Sequence, residues 1–228
     1  DRKASPCHTT EFRMMHLSHR IQPVHGVSLV LALHFVGVIG LLSPLANWFL
    51  LLTPLNLLLT AGAMITFSGL DRRTLALALL LGALGYCVEV LGVWTGRVFG
   101  EYAYGDVLGS KVLEVPLLIG LNWSVLVFAI GTPISRLHLP VSLKILASSL
   151  AMVMLDILME PVAVRLGFWS WEQGSIPFQN YLAWGIVSLF FFSLFFLLPV
   201  QRHNPIARWV LLAQVAFFAL LNLLLPGA

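Results

Sequence analysis

Residues 141–164 read VSLKILASSLAMVMLDILMEPVAV, an apolar run that carries two acids, Asp156 and Glu160, four residues apart. The run exceeds the ~20 residues a helix needs to cross a bilayer, and it is too long for a barrel strand. A buried helix of a large soluble protein could share that pattern, so composition decides. The 228 residues are 59% hydrophobic and 10% charged, with mean hydropathy +0.92. Soluble domains average roughly 25% charged residues, so this chain faces lipid.

Six further apolar stretches lie at 26–42, 50–69, 74–93, 112–131, 180–199 and 207–225. Turn and breaker residues separate them: Ser43-Pro44, Asp71-Arg72-Arg73, the Gly/Tyr-rich 96–110, Thr132-Pro133, Gly174 to Pro177 and Asn204-Pro205. The expected fold is all-α, a polytopic bundle of seven transmembrane helices in one domain, 21–228. The first two spans are close enough to form a re-entrant hairpin. Residues 1–20 form a polar, basic tail without the apolar core of a signal peptide. The chain begins at Asp1 rather than Met, which leaves room for residues before it. No length remains for a soluble domain, and no nucleic-acid partner is expected. Cys7 in the tail and Cys87 in an apolar span are not an expected disulfide.

The basic residues give an orientation. With the N-terminus cytoplasmic, Arg2, Lys3, Arg13, Arg20, Arg72, Arg73, Arg136, Lys144, Arg202 and Arg208 are inner, and Arg97, Lys111 and Arg165 are outer. That bias predicts N-in, C-out insertion in a multi-pass protein, with a prokaryotic cytoplasmic membrane as the expected location. Acids sort the other way. Asp1, Glu11 and Asp71 are inner, whereas Glu89, Glu101, Asp106, Glu114, Asp156, Glu160 and Glu172 fall on outer loops or outer halves of spans.

Helix direction then brings Glu89, Glu114, Asp156 and Glu160 to one depth on three helices. Carboxyl groups inside a bilayer are costly and by default mark a functional site. Asp156 and Glu160 share a helix face. Two such groups in low dielectric do not both ionise cheaply, leaving a neutral acid beside a charged base. That pairing suits proton donation and water activation. Pro161 is expected to kink or end the helix directly after Glu160. The competing structural reading pairs the acids with Arg97, Lys111 or Arg165 to lock helix ends.

Two outer loops are rich in aromatic and amide residues, WTGRVFGEYAYGDVLGSK from Trp94 and RLGFWSWEQGSIPFQNYLAW from Arg165. Such residues commonly form an interfacial belt. Some of their faces could instead line a pocket and stabilise a carbocation. Asn122, eight residues after Glu114, needs a helix or ligand partner at its depth. Gly82, Gly85, Gly92 and Gly96 read as close-packing positions.

Several chemistries are excluded. A retinal Schiff base needs a lysine in the last span, but the lysines are Lys3, Lys111 and Lys144. Asp156 to Glu160 is a lone DxxxE, so a magnesium-held diphosphate is not expected. His8, His16, His19, His25, His34, His138 and His203 lie away from the acids, so no metal site is expected. No nucleotide loop and no nucleophile elbow occurs, and no cofactor is implied.

The runs Thr95 to Tyr104 with Leu108-Gly109, Glu114-Val115-Pro116 to Asn122-Trp123, Leu155-Asp156 to Met159-Glu160-Pro161-Val162-Ala163, and Trp169-Ser170-Trp171 to Pro177-Asn180-Tyr181 resemble the membrane-integral carotenoid hydratases. These include the γ-carotene and bisanhydrobacterioruberin type and are often described only as carotenoid biosynthesis proteins. The resemblance covers roughly residues 80–190. It implies addition of water across the terminal 1,2 double bond of an acyclic carotenoid ψ-end without a redox cofactor. Its implied partners are the lipid-soluble carotenoid, membrane lipids and other membrane enzymes of the pathway. The residues supply a compatible mechanism with Asp156 as acid, Glu160 as base or water-positioner, and Glu89 and Glu114 as alternates. Trp94, Tyr102, Tyr104, Trp123, Trp169 and Tyr181 are candidates for cation stabilisation or end-group packing. Arg97, Glu101, Asn122, Trp171 and Asn180 complete the candidate substrate-binding set.

Three rival readings remain open in the sequence: a proton-coupled transporter, a non-catalytic carotenoid- or lipid-binding protein, and an isomerase or cyclase that uses the same acid. A transporter would string acids across the membrane and show inverted repeats, and neither is seen. A binding protein would retain pigment of unchanged mass.

Overall fold

Prolines set where most of the long helices begin. In the computed structural model, which describes residues 22–69 and 71–225, α1 (Pro23–Leu41) has proline at its first position. Helices α5 (Leu117–Ser135), α6 (Val141–Arg165) and α7 (Phe178–Leu197) each follow a proline directly, Pro116, Pro140 and Pro177. The pyrrolidine ring fixes φ and gives up an N–H that a helix start would leave unpaired anyway. Helix α4 (Arg72–Thr95) begins on a side-chain cap, with Asp71 accepting from the Thr74 backbone N–H at 2.9 Å. It ends at Gly96, whose φ of 61° is the left-handed value glycine adopts without strain. The last helix, α8 (Ala207–Leu224), closes the bundle. The expected tail 1–20, with Cys7, His8, His16 and His19, lies outside the described residues.

Six helices, α1 and α4 to α8, are long and apolar enough to cross a membrane. The expected span 50–69 is not one helix. It starts earlier as α2 (Ala46–Leu51), breaks at Leu52, and resumes as α3 (Thr53–Thr66). Pro54 is the physical reason, because its ring clashes with the carbonyl four residues back and it has no N–H to donate. The 14 residues of α3 span about 21 Å, less than the ~30 Å hydrocarbon core. The α2–α3 pair nevertheless runs back along α1. Phe49 packs on Gly40 near one end of α1, and Phe67 packs on Gly26 near the other.

Helix α5 is central, buried along most of its length, whereas less than half of each neighbouring span is buried. Its crossing with α4 is close because Gly82 and Gly120 face each other. The glycines of α4 thus act in packing, as their sequence positions suggest. The C-terminal ends of α4 and α6, near which Glu89 and Glu160 lie, are covered by chain that is not helical. Strands β1 (Tyr102–Tyr104) and β4 (Trp169–Trp171) pair antiparallel, with Tyr102 opposite Trp171 and Tyr104 opposite Trp169. Strands β2 (Lys111–Val112) and β3 (Val115–Pro116) form a tight hairpin. The bundle is the expected helical one, with two small ribbons that the sequence reading did not anticipate. Of the two outcomes expected at Pro161, a kink or an end, the helix does not end there, since α6 continues to Arg165.

Candidate functional site

Residues two apart on a strand face the same side, and this simple rule builds the site. Ala103 and Ser170 point outward and are exposed. Tyr102, Tyr104, Trp169 and Trp171 therefore all point inward, onto the helix ends beneath. Tyr102 and Tyr104 donate to Glu89 Oε2 at 2.6 and 2.8 Å. Trp169 and Trp171 donate their indole N–H groups to Glu160 Oε2, each at 3.0 Å. The helices complete each set. Trp123 of α5 donates to Glu89 Oε1 at 3.0 Å. Asn180, at the start of α7, donates to Glu160 Oε1 at 3.1 Å and to Asp156 Oδ2 at 2.9 Å. Gly85 makes the Trp123 bond possible, because a Cβ there would sit 2.6 Å from the indole.

All three carboxyl groups are buried, with Glu89 4%, Asp156 0% and Glu160 2% exposed. No cation compensates them among the described residues. Arg97 is exposed. Lys111 pairs instead with Asp106 at 2.9 Å and donates to the Tyr104 carbonyl, and that pairing holds Asp106 below the usual carboxylate range. Arg165 binds Asn222 Oδ1 at 2.8 Å and the Leu225 carbonyl. The reading in which basic residues lock the acids is thus not what the geometry shows. Burial first, and then the adjacent Glu89, push the phenols of Tyr102 and Tyr104 above their usual range, so both remain hydrogen-bond donors.

Between Glu89 and Glu160 lies a chamber of about 30 Å³, lined also by Phe99, Ile119, Asn122, Met159 and Trp184. That is room for one or two water molecules. Trp184 stacks on Trp123 with ring centroids 4.3 Å apart. Asp156 is off the chamber lining, behind Glu160, and its Oδ1 has no hydrogen-bond partner among the described residues. Next to the chamber runs an apolar groove of about 330 Å³, walled by α1, α3, α5 and α8. Ile119, Asn122, Met159 and Trp169 line both spaces.

Of the residues expected from sequence, the structure gathers Glu89, Asp156, Glu160, Tyr102, Tyr104, Asn122, Trp123, Trp169, Trp171 and Asn180. It leaves others out. Glu114, expected in the first turn of a helix, sits with Leu113 in the turn of the β2–β3 hairpin, exposed and with φ of 63°. The helix starts later than hydropathy suggests because Pro116 fixes its beginning. Trp94 is 63% exposed on the lipid side of α4. Arg97 contributes its backbone carbonyl to Gln179. Glu101 lies exposed beside Glu172, and the proximity of the two acids raises the Glu101 carboxyl above its usual range. Tyr181 is half-buried and lines neither space. Sequence reasoning missed Trp184, Phe99, Ile119 and Met159. Trp184 had a usable signal, since it follows Asn180 by four residues and so shares its helix face.

Residues 47–227 match the family model described as "Carotenoid biosynthesis protein". The chain is 30% identical over 129 residues to a bisanhydrobacterioruberin hydratase of Haloarcula japonica, a match covering 52% of this chain and 43% of that protein. The match thus spans less than half the length of that relative. No solved structure matches the chain.

Proposed function

The chain belongs to the carotenoid biosynthesis protein family, and from that premise we propose that it hydrates the terminal 1,2 double bond of an acyclic carotenoid ψ-end. The observation that carries the reading is a water-sized chamber between two buried glutamates, set beside an apolar groove. The polyene enters laterally from the bilayer into the groove, and its end group reaches the chamber past Ile119 and Met159.

Hydrogen bonding divides the roles. Indole and amide N–H groups only donate, so Trp169, Trp171 and Asn180 suit Glu160 as a carboxylate. A phenol both donates and accepts, so Tyr102 and Tyr104 accommodate Glu89 with or without its proton. Glu89 therefore serves as the acid. It adds its proton to C2 of the alkene, and the π electrons form the new C–H bond, leaving a tertiary cation at C1. The faces of Trp169 and Trp184, which line the chamber, and the Glu160 charge stabilise that cation. Water held in the chamber attacks C1 as Glu160 removes its proton, giving the tertiary alcohol. The proton returns across the chamber to Glu89, so the balance is one alkene and one water to one alcohol. Asp156, off the chamber lining, is a positioning residue that shares Asn180 with Glu160. In this reading Glu89, not Asp156, is the direct donor.

The protein crosses the bilayer with its N-terminus cytoplasmic, the α2–α3 pair supplying a seventh, broken crossing. The residues of the chain carry every step, without a metal or redox group.

The test is expression in a lycopene-accumulating bacterium, with extracted pigments analysed by mass. Gain of the mass of one water per reacted end supports the proposal. Unchanged mass with pigment retained by the purified protein favours a binding role. Unchanged mass with altered retention and spectrum favours isomerisation or cyclisation.

A further inference from the structure

Most polar side chains in the chamber wall hold one another. Glu89 is bound by Tyr102 and Tyr104, and Glu160 by Trp169, Trp171 and Asn180. Two groups of that wall make no side-chain hydrogen bond among the described residues. One is the indole N–H of Trp184, which can only donate, and the other is the amide of Asn122, which both donates and accepts. The unpaired oxygens of Thr132, Ser148, Asp156, Ser188 and Gln214 are sealed inside the packing. The Asn122 amide is not among them. Asn122 is half-buried and lines both the groove and the chamber, in company with Ile119 of α5 and Met159 of α6.

An amide set in an apolar passage costs free energy unless something pairs with it. The end group of a hydrocarbon cannot, whereas water gives a lone pair to the N–H₂ and a hydrogen to the carbonyl. We propose that Asn122 holds the water that attacks C1, and so decides that the cation is captured as an alcohol and does not collapse to an alkene. The inference rests on the hydratase reading of this site and adds the residue that determines its product. Two fates compete for the cation. In capture, a lone pair of the water forms the C1–O bond and Glu160 takes a proton from that water. In collapse, a C–H bond next to C1 breaks, its electron pair re-forms a double bond, and the proton goes to a carboxylate. An amide is a far weaker base than a carboxylate, so Asn122 presents water beside the cation without itself removing a proton. Its place where the groove meets the chamber sets that water against the last carbons to pass Ile119 and Met159.

The experiment gives lycopene to the full chain in lipid nanodiscs made up in deuterium oxide. Alcohol and recovered hydrocarbon are separated, and the deuterium in each is measured by mass. Capture yields labelled alcohol, and collapse that removes a hydrogen leaves deuterium in the hydrocarbon. In Asn122→Leu the ratio of alcohol to labelled hydrocarbon falls about tenfold, the worth of one net hydrogen bond on the water. Asn122→Ser keeps more of the ratio, because a hydroxyl also donates and accepts. A merely structural residue would lower both products together. An unchanged ratio in Asn122→Leu, or equal ratios in the two variants, therefore overturns the proposal. Thermal unfolding without pigment is the second readout. Asn122→Leu unfolds at or above the wild-type temperature if the amide holds only water, and a clear drop overturns the proposal. Wild type that yields no alcohol contradicts the hydratase reading and this inference with it. Wild type that yields alcohol, with the ratio unchanged in Asn122→Leu, contradicts the role of Asn122 alone.

Discussion

The two sides of the chamber are built alike and behave differently. On the α4–α5 side, Glu89 accepts three hydrogen bonds, two from β1 and one from a helix. On the α6–α7 side, Glu160 also accepts three, two from β4 and one from a helix. The donors differ in kind: two phenols and one indole around Glu89, two indoles and an amide around Glu160. A phenol can turn and accept, so the Glu89 side tolerates gain or loss of a proton. The two indoles on Glu160 Oε2 can only donate, which favours a carboxylate there. A second difference is Asp156, one turn from Glu160, which has no counterpart beside Glu89 among the described residues. The lesson is that a strand ribbon laid across helix ends can give two similar carboxyls opposite tasks through the aromatic residues it presents.

The largest effects come from removing either glutamate. Glu89→Gln and Glu160→Gln each lower the hydration rate by ~10²- to 10⁴-fold, the range for loss of a general acid or base. Thermal unfolding separates them. In Glu89→Gln the tyrosines reorient to accommodate the amide, and stability changes little. In Glu160→Gln the new N–H₂ faces either the donor-only indoles or the Asn180 amide, whose flip would cost its bond to Asp156, and the protein loses about 1–3 kcal/mol. Equal stability losses in the two variants break the comparison. Asp156→Asn comes next, at roughly tenfold in rate, because it disturbs the Asn180 amide that Asp156 shares with Glu160 one helical turn away. Its rate–pH profile also moves, as a purely structural substitution would not make it do. A loss as large as that of Glu160→Gln would return the donor role to Asp156.

Replacing one ribbon donor sharpens the contrast further. Tyr102→Phe slows hydration by about tenfold and alters its pH profile. Trp171→Phe chiefly costs stability, about 1.5–3 kcal/mol for a hydrogen bond to a charged group. The smallest effect lies outside the membrane. Glu101 is raised by Glu172, and a carboxyl raised in the folded state holds its proton more tightly folded than unfolded. Its favourable contribution is present at low pH and is lost as pH rises through the raised value. Glu172→Gln therefore lifts the unfolding temperature slightly at neutral pH and leaves it unchanged at acid pH.

Much of this arrangement is legible in the sequence because helix direction and depth follow from apolar length alone. Glu89 and the Asp156/Glu160 pair come together for that reason. Glu114 does not follow, because hydropathy reads through Val112 and Leu113 and does not register that Pro116 delays the helix. The broken second span is similar, since its leucines conceal what Pro54 does to the backbone. The ribbon is the main feature not read. Tyr-Ala-Tyr and Trp-Ser-Trp carry a period-two signal, but each is three residues long and resembles an interfacial belt. Their pairing joins segments about 67 residues apart, Tyr104 with Trp169 at the near end. Only the partner strand gives either triplet its inward face.

The most direct measurement of the central claim is the hydration of lycopene by the purified protein in a mixture of heavy-oxygen water and deuterium oxide, with the product analysed by mass and NMR. Proton delivery to C2 and water capture at C1 predict one heavy oxygen at C1 and one non-exchangeable deuterium at C2 for each reacted end, both lost in Glu89→Gln and Glu160→Gln. Oxygen from a source other than water, deuterium without oxygen, or full labelling in either variant would contradict the account.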